Sequence, residues 1–126
     1  MSKPTVAIVG ASRDRSKYGN ISLRAHLSRG YDVYPVNPNA SEIEGVTCFA
    51  SVSDIPVQPL DRVTVYLPPH QTLALLDELE ALHPREIWLN PGSADRRVRE
   101  RAEELGLETI EACSIVDLGT SPDAFL

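Results

Sequence analysis

The chain has 126 residues, a formal net charge of −6, 42% hydrophobic and 24% charged residues. That length implies one domain, residues 1–126, large enough to bury a core without disulfide or metal staples. The acidic balance argues against a nucleic-acid surface, and no apolar run approaches the ~18 residues of a membrane span.

Apolar periodicity alternates between strand-like and helix-like along the sequence. Thr5–Val9 reads as a buried strand. Met-Ser-Lys-Pro-Thr leads straight into it with no signal-peptide pattern, so the expected location is the cytoplasm. Asn20–Arg29 reads as a helix, with Ile21/Ala25 and Leu23/Leu27 at i, i+4 spacing and Gly30 placed to end it. Tyr31–Val36 is a second strand, stopped by Asn37-Pro38. Between 39 and 62 the pattern weakens to a short strand at Val46–Phe49 and a loop or single turn around Ser53–Ile55. Arg62–Leu67 is a strand halted by Pro68-Pro69, and His70–Leu82 a helix with a leucine face at 75, 76, 79 and 82. Glu86–Leu89 is a strand ending in Asn90-Pro91-Gly92-Ser93, where Ser93 is expected to cap a helix over Asp95–Leu105. Arg96/Glu100 and Arg99/Glu103 on that helix have ion-pair spacing. Glu108–Ala112 is expected as a last short strand, and Ser114–Leu126 as a loop or short terminal turn. The alternation predicts an α/β, three-layer, Rossmann-like fold with a mostly parallel five-stranded sheet. Ligands in such folds sit at the carboxyl ends of the strands.

The first of those ends is the most informative. Val6–Val9 runs into Gly10-Ala11-Ser12, and Gly19-Asn20 opens the following helix. Free amides and a helix N-terminus make such a turn a natural anion site. Arg13, Arg15 and Lys17 oppose a single Asp14, so residues 10–20 carry +2 and the rest of the chain −8. A local positive patch on an acidic protein suits a small anionic ligand.

Several other chemistries lack their motifs. Gly-x-Gly-x-x-Gly is missing, and the second strand ends without the carboxylate that takes ribose hydroxyls in dinucleotide sites. There is no Walker loop and no Gly-x-Ser-x-Gly elbow. His26, His70 and His83 stand alone on or beside helices, and neither Cys48 nor Cys113 has metal-ligand spacing. His70 follows the Pro-Pro turn and Cys113 the last strand, so both are weighed against packing roles. No catalytic or metal-ligating set emerges.

Four stretches carry a family resemblance: Val9-Gly10-Ala11-Ser12 with Tyr18-Gly19-Asn20; Gly30 through Pro38; Ser51 through Pro56; and Tyr66-Leu67-Pro68-Pro69 with Trp88 through Ser93. Over about residues 4–115 the chain resembles the bacterial and archaeal CoA-binding-domain family. These small proteins are similar to the N-terminal CoA-binding domain of succinyl-CoA synthetase alpha subunits. The resemblance implies coenzyme A or an acyl-CoA as ligand. It implies that Gly10, Ala11 and Ser12, with Arg13, Lys17, Tyr18, Gly19 and Asn20, hold the CoA phosphates. Val36, Asn37 and Pro38 would border the adenine and ribose. Tyr66, Leu67, Pro68 and Pro69 would flank the pantetheine arm, and Asn90, Pro91, Gly92 and Ser93 would close over its far end. The synthetase's phosphohistidine and ATP machinery belong to other domains, so the expected role is non-catalytic binding. Two alternatives stay open: a CoA-utilising enzyme subunit that works with a partner subunit, and an NAD- or nucleotide-sensing domain. A homodimer is compatible with a sheet edge that must be covered.

Overall fold

The computed structural model describes residues 3–126. In chain order it contains β1 (Thr5–Val9), α1 (Tyr18–Ser28), β2 (Asp32–Val36), β3 (Glu42–Ile43), β4 (Val46–Thr47), β5 (Arg62–Val65), α2 (Pro69–Leu82), β6 (Ile87–Leu89), α3 (Arg96–Glu104) and α4 (Ser114–Asp117). Single 3-10 turns lie at Val52–Asp54 and Pro122–Phe125. The main sheet is parallel with order β2-β1-β5-β6, and β3 and β4 form a separate antiparallel hairpin. No helix among the described residues is long and apolar enough to cross a membrane.

Side chains alternate across the sheet with the strand period of two. Val6 and Ile8 of β1 face Leu23 of α1, while Ala7 and Val9 join Val63, Val65, Ile87 and Leu89 under α2 and α3. Both faces are therefore covered, which is why these strands read as near-continuous apolar runs. Ile21 and Ala25 of α1 pack on Ile115, so α4 shares the α1 layer. The three-layer α/β class holds.

The differences from expectation lie mostly at the edges. The sheet has four strands, not five. Residues 108–112 supply one bridge, Ile110 to Trp88, made by Ile110 N–H to Ile87 O and Leu89 N–H to Ile110 O. The stretch is too short and too exposed to continue the ladder. Phe49 bridges Val36 in the same manner at the other edge. Helix α1 begins two residues ahead of Asn20, because Lys17 takes the cap position and its carbonyl accepts from Asn20 and Ile21. It stops at Ser28, and the Tyr31 N–H returns to His26 O across Gly30. Asp95, not Ser93, caps α3, its carboxylate accepting from the Val98 N–H at 3.0 Å. The Ser93 hydroxyl instead donates to the Asn90 carbonyl at 2.7 Å. Arg96 pairs with Glu100 as expected, but Arg99 reaches Glu111 at 2.9 Å rather than Glu103.

The amino-terminal edge of the sheet holds a buried charge. Arg62 is 5% exposed. Its Nε donates to Glu86 at 2.9 Å and its Nη2 to Asp117 at 2.8 Å. The guanidinium also lies over Trp88, 4.7 Å from the ring centroid. His26 is completely buried beside it. Its Nδ1 lies 2.8 Å from the Ser22 carbonyl, so Nδ1 carries the proton and Nε2 faces Arg62 Nη1 at 3.5 Å. Burial, assisted by the Arg62 charge, pushes His26 down from 6.5 to about 4. The unfolded chain therefore binds the extra proton first. His26 contributes stability that is fully present above pH 6.5 and is lost as pH falls toward about 4. Urea unfolding followed from pH 7 to pH 4.5 is expected to show a falling midpoint. The share due to His26 is about 2–3 kcal/mol, and the fall is expected to be shallower in His26→Gln.

Candidate functional site

A groove of about 990 Å³ crosses the carboxyl ends of β2, β1, β5 and β6. The chain leaves β1 for β2 on one side and returns to β5 on the other, so the groove lies at the topological switch point.

Its centre is the turn after β1. Gly10 has φ +89°, and a Cβ there would meet the Tyr66 backbone at 3.0 Å. Gly10 and Ala11 donate their N–H groups to Val36 O at 3.2 and 3.3 Å, which ties the turn to the end of β2. Gly19, in the first turn of α1, packs so closely that a Cβ would overlap the Gly10 carbonyl oxygen. Among the described residues, the N–H groups of Ser12, Tyr18 and Gly19 have no acceptor within the protein. The Ser12 hydroxyl accepts from Asp14 N–H at 3.0 Å and keeps its own hydrogen to donate. Open amides, a free hydroxyl and a helix start converge here, and they are suited to an anion.

The three loop cations part ways. Arg15 is paired with Glu44 at 2.7 Å, and Arg13 Nε donates to the Glu42 carbonyl at 3.2 Å. Glu44 sits at the tip of the β3–β4 hairpin with φ +53°, a left-handed position before Gly45. Only Lys17 of the three lines the groove, and among the described residues it has no ion pair. Asp14 is held below its usual range by hydrogen bonds from the Ser16 hydroxyl and N–H, and so stays an anion that folds the loop.

Most of the residues singled out by sequence surround the groove: Gly10, Ala11, Ser12, Lys17, Tyr18, Gly19, Val36, Asn37, Pro38, Tyr66, Leu67, Pro68, Pro91, Gly92 and Ser93. Arg13, Asn20, Pro69 and Asn90 do not line it. Pro69 is the first residue of α2, and Arg13 points to the hairpin.

The asparagines act as pins. Asn20 is fully buried, donates to Ser12 O at 2.9 Å and accepts from Arg24 Nε at 2.7 Å. Asn37 donates to Ala11 O at 2.9 Å and accepts from Asn39 N–H at 2.8 Å. Asn90 donates to Thr64 Oγ1 at 2.6 Å and to Val65 O at 3.0 Å, and accepts from Ser114 N–H at 2.9 Å.

Among the described residues, the β5–β6 end of the groove shows no activated nucleophile. Thr64 Oγ1, Ser114 Oγ and the Tyr66 hydroxyl form a chain with steps of 2.8 and 3.0 Å. Burial pushes the Tyr66 phenol up, so it stays neutral. Burial also raises the Cys48 thiol, whose Sγ donates toward Asn37 O at 3.6 Å. Cys113 is half-buried against the α1–α4 cluster, and His70 is exposed; neither lines the groove.

One wall was missed by sequence reasoning. Ser16, Asn39, Ala50, Ser51, Val52 and, from α2, Gln71, Ala74, Leu75 and Glu78 also line the groove. The signal was present in α2. Gln71, Ala74 and Glu78 share one face at i, i+3, i+7 beside the leucine stripe.

An open parallel α/β sheet with a glycine turn at its switch point defines a Rossmann-like class of fold. The CoA binding domain family matches residues 4–119, and the chain belongs to it. It is 26% identical over 105 residues to the uncharacterised protein YneT of Bacillus subtilis, covering 83% of this chain and 77% of that one. A 64-residue stretch is 33% identical to the ADP-forming acetate–CoA ligase of Methanocaldococcus jannaschii, 51% of this chain but 9% of the ligase. Among solved structures, a conserved hypothetical protein from Pyrococcus furiosus superposes with a TM-score of 0.82 at 35% identity, covering 92% of this chain and 99% of that one. The dinucleotide-forming acetyl-coenzyme A synthetase 1 of Ca. Korarchaeum cryptofilum superposes with a TM-score of 0.72 at 29% identity, covering 86% of this chain and 25% of the synthetase. These relationships support a CoA-related role.

The Gly10–Gly19 contact gives a direct test. Gly19→Ala must push α1 off the turn, at a cost of about 1–3 kcal/mol. A lowered urea midpoint is expected, because a Cβ at position 19 would meet the Gly10 backbone. An unchanged midpoint in Gly19→Ala would show that the contact is not tight.

Proposed function

We propose that this chain is a single domain that binds coenzyme A or an acyl-CoA along the groove without transforming it. The observation that carries the reading is the set of unpaired amides of Ser12, Tyr18 and Gly19 beside Lys17, in a chain of the CoA-binding family. The diphosphate takes those donors. The pantetheine arm runs over Tyr66, Leu67 and Pro68 toward Pro91, Gly92 and Ser93, a path of apolar and small side chains. Among the described residues, one cation and one carboxylate, Lys17 and Glu78, are the only charged residues in the lining, and no histidine or cysteine joins them. Such a lining binds and orients, but it offers no general acid–base pair and no thiolate.

A second reading follows from the ligases. The matched stretch, half of this chain, covers 9% of the M. jannaschii enzyme, so a CoA-handling subunit that acts with a partner subunit is the alternative. A nicotinamide dinucleotide is disfavoured. The end of β2 offers Asn37, with both ends of its amide engaged, where a ribose-binding carboxylate is required.

Calorimetric titration with CoA, acetyl-CoA and NAD tests the proposal. Saturable binding of CoA in preference to NAD is expected. Lys17→Glu is expected to weaken CoA binding about tenfold or more through loss of a charge-assisted contact. Arg13→Glu, whose side chain points to the hairpin, is expected to change it less than about threefold. Ser12→Trp fills the anion turn and is expected to abolish binding. Unchanged affinity in both Lys17→Glu and Ser12→Trp would move the ligand elsewhere, and tighter NAD than CoA binding would replace the proposal with the dinucleotide reading.

A further inference from the structure

We infer that Glu78 is a specificity-determining residue, which accepts a hydrogen bond from the exocyclic amine of an adenine ring lodged between α2 and residues 50–52. The inference rests on the CoA reading and adds to it the group that selects the base.

Among the described residues, Glu78 is the one carboxylate in the groove lining. The Ser53 N–H and hydroxyl both donate to its Oε2, at 3.1 and 2.6 Å. Two donors on one oxygen fix the rotamer, and Oε1 has no partner within the protein among the described residues. The walls beside it are Ala50, Val52, Ala74 and Leu75, small or aliphatic side chains suited to the faces of a flat ring.

The position fits the span of a nucleotide. Phe49 bridges Val36 just outside β2. Ala50–Val52 thus lie about two strand spacings, roughly 10 Å, from the end of β1. A ribose between diphosphate and base bridges a gap of that order. The charge pattern agrees: Lys17 stands at the anion turn and Glu78 at the opposite arm, so the groove expects a ligand anionic at one end and donor-bearing at the other. A carboxylate there favours the 6-amino group of adenine and opposes the 6-oxo group of hypoxanthine, which presents a lone pair to it.

Titration of the wild-type protein with CoA and with its deaminated hypoxanthine analogue tests this. The wild type is expected to prefer CoA by about tenfold or more. In Glu78→Gln the amide keeps an oxygen for Ser53 and can turn a donor toward an oxo group, so the preference is expected to fall below about threefold. Equal binding of both ligands to the wild type, or full discrimination retained in Glu78→Gln, would overturn the assignment while leaving CoA binding in place. Absence of CoA binding by the wild type would remove the underlying reading itself. Circular dichroism of the variant separates loss of fold from loss of selectivity.

Discussion

The first turn of α1 lies against the carbonyl of Gly10 with no side chain between them. That approach needs glycine at both partners, at position 10 for its positive φ and at position 19 for lack of room. With α1 drawn in so closely, its opening amides and those of the turn converge on one point. Any residue with a Cβ at position 19 would separate helix and turn. The donors would remain in the chain but would no longer face a common ligand. The rest of the groove is arranged around this contact, since the ends of β2 and β5 both bond to the β1 turn, through Val36 O and the Tyr66 N–H to Val9 O.

The charges near that contact are divided between two tasks. Arg15 and Arg13 bind the β3–β4 hairpin to the loop, and Asp14 folds it. Arg24 extends the frame, donating to Arg15 O at 2.8 Å and to Phe125 O at 2.9 Å. Lys17 is left facing the groove. The buried Arg62 cluster sits at the opposite edge of the sheet, so the charge that stabilises the packed layers and the charge available for recognition are spatially separate.

The core of this arrangement was legible in the sequence. Thr5–Val9, the leucine face of α2 and the turns after β1, β2, β5 and β6 follow from periodicity and from glycine and proline placement, and they fix the fold class and most of the groove. What was not legible depended on tertiary pairing. The two-residue strands at Glu42–Ile43 and Val46–Thr47 are too short to show a period. Residues 108–112 have strand-like composition, but only Ile110 finds a partner. A count of cations cannot tell that Arg15 is met by Glu44 from 29 residues away. Nor can it tell that Glu78 is turned to the groove by Ser53, which precedes it by 25. His26 looked like one of several helix histidines, and its burial depends on Arg62, 36 residues distant.

The three asparagine pins have a consequence for how a ligand is received. Each ties one carboxyl-edge segment to a neighbouring strand or loop through its amide N–H, while its amide oxygen is held by a second donor. The loops are therefore held in position by the protein's own bonds before anything arrives. A ligand entering the groove does not have to supply the entropy of ordering them, and more of each contact appears as affinity. The same rigidity makes the outline of the groove a fixed template, so that selectivity is set by shape and donor placement in the free protein rather than by closure around the guest.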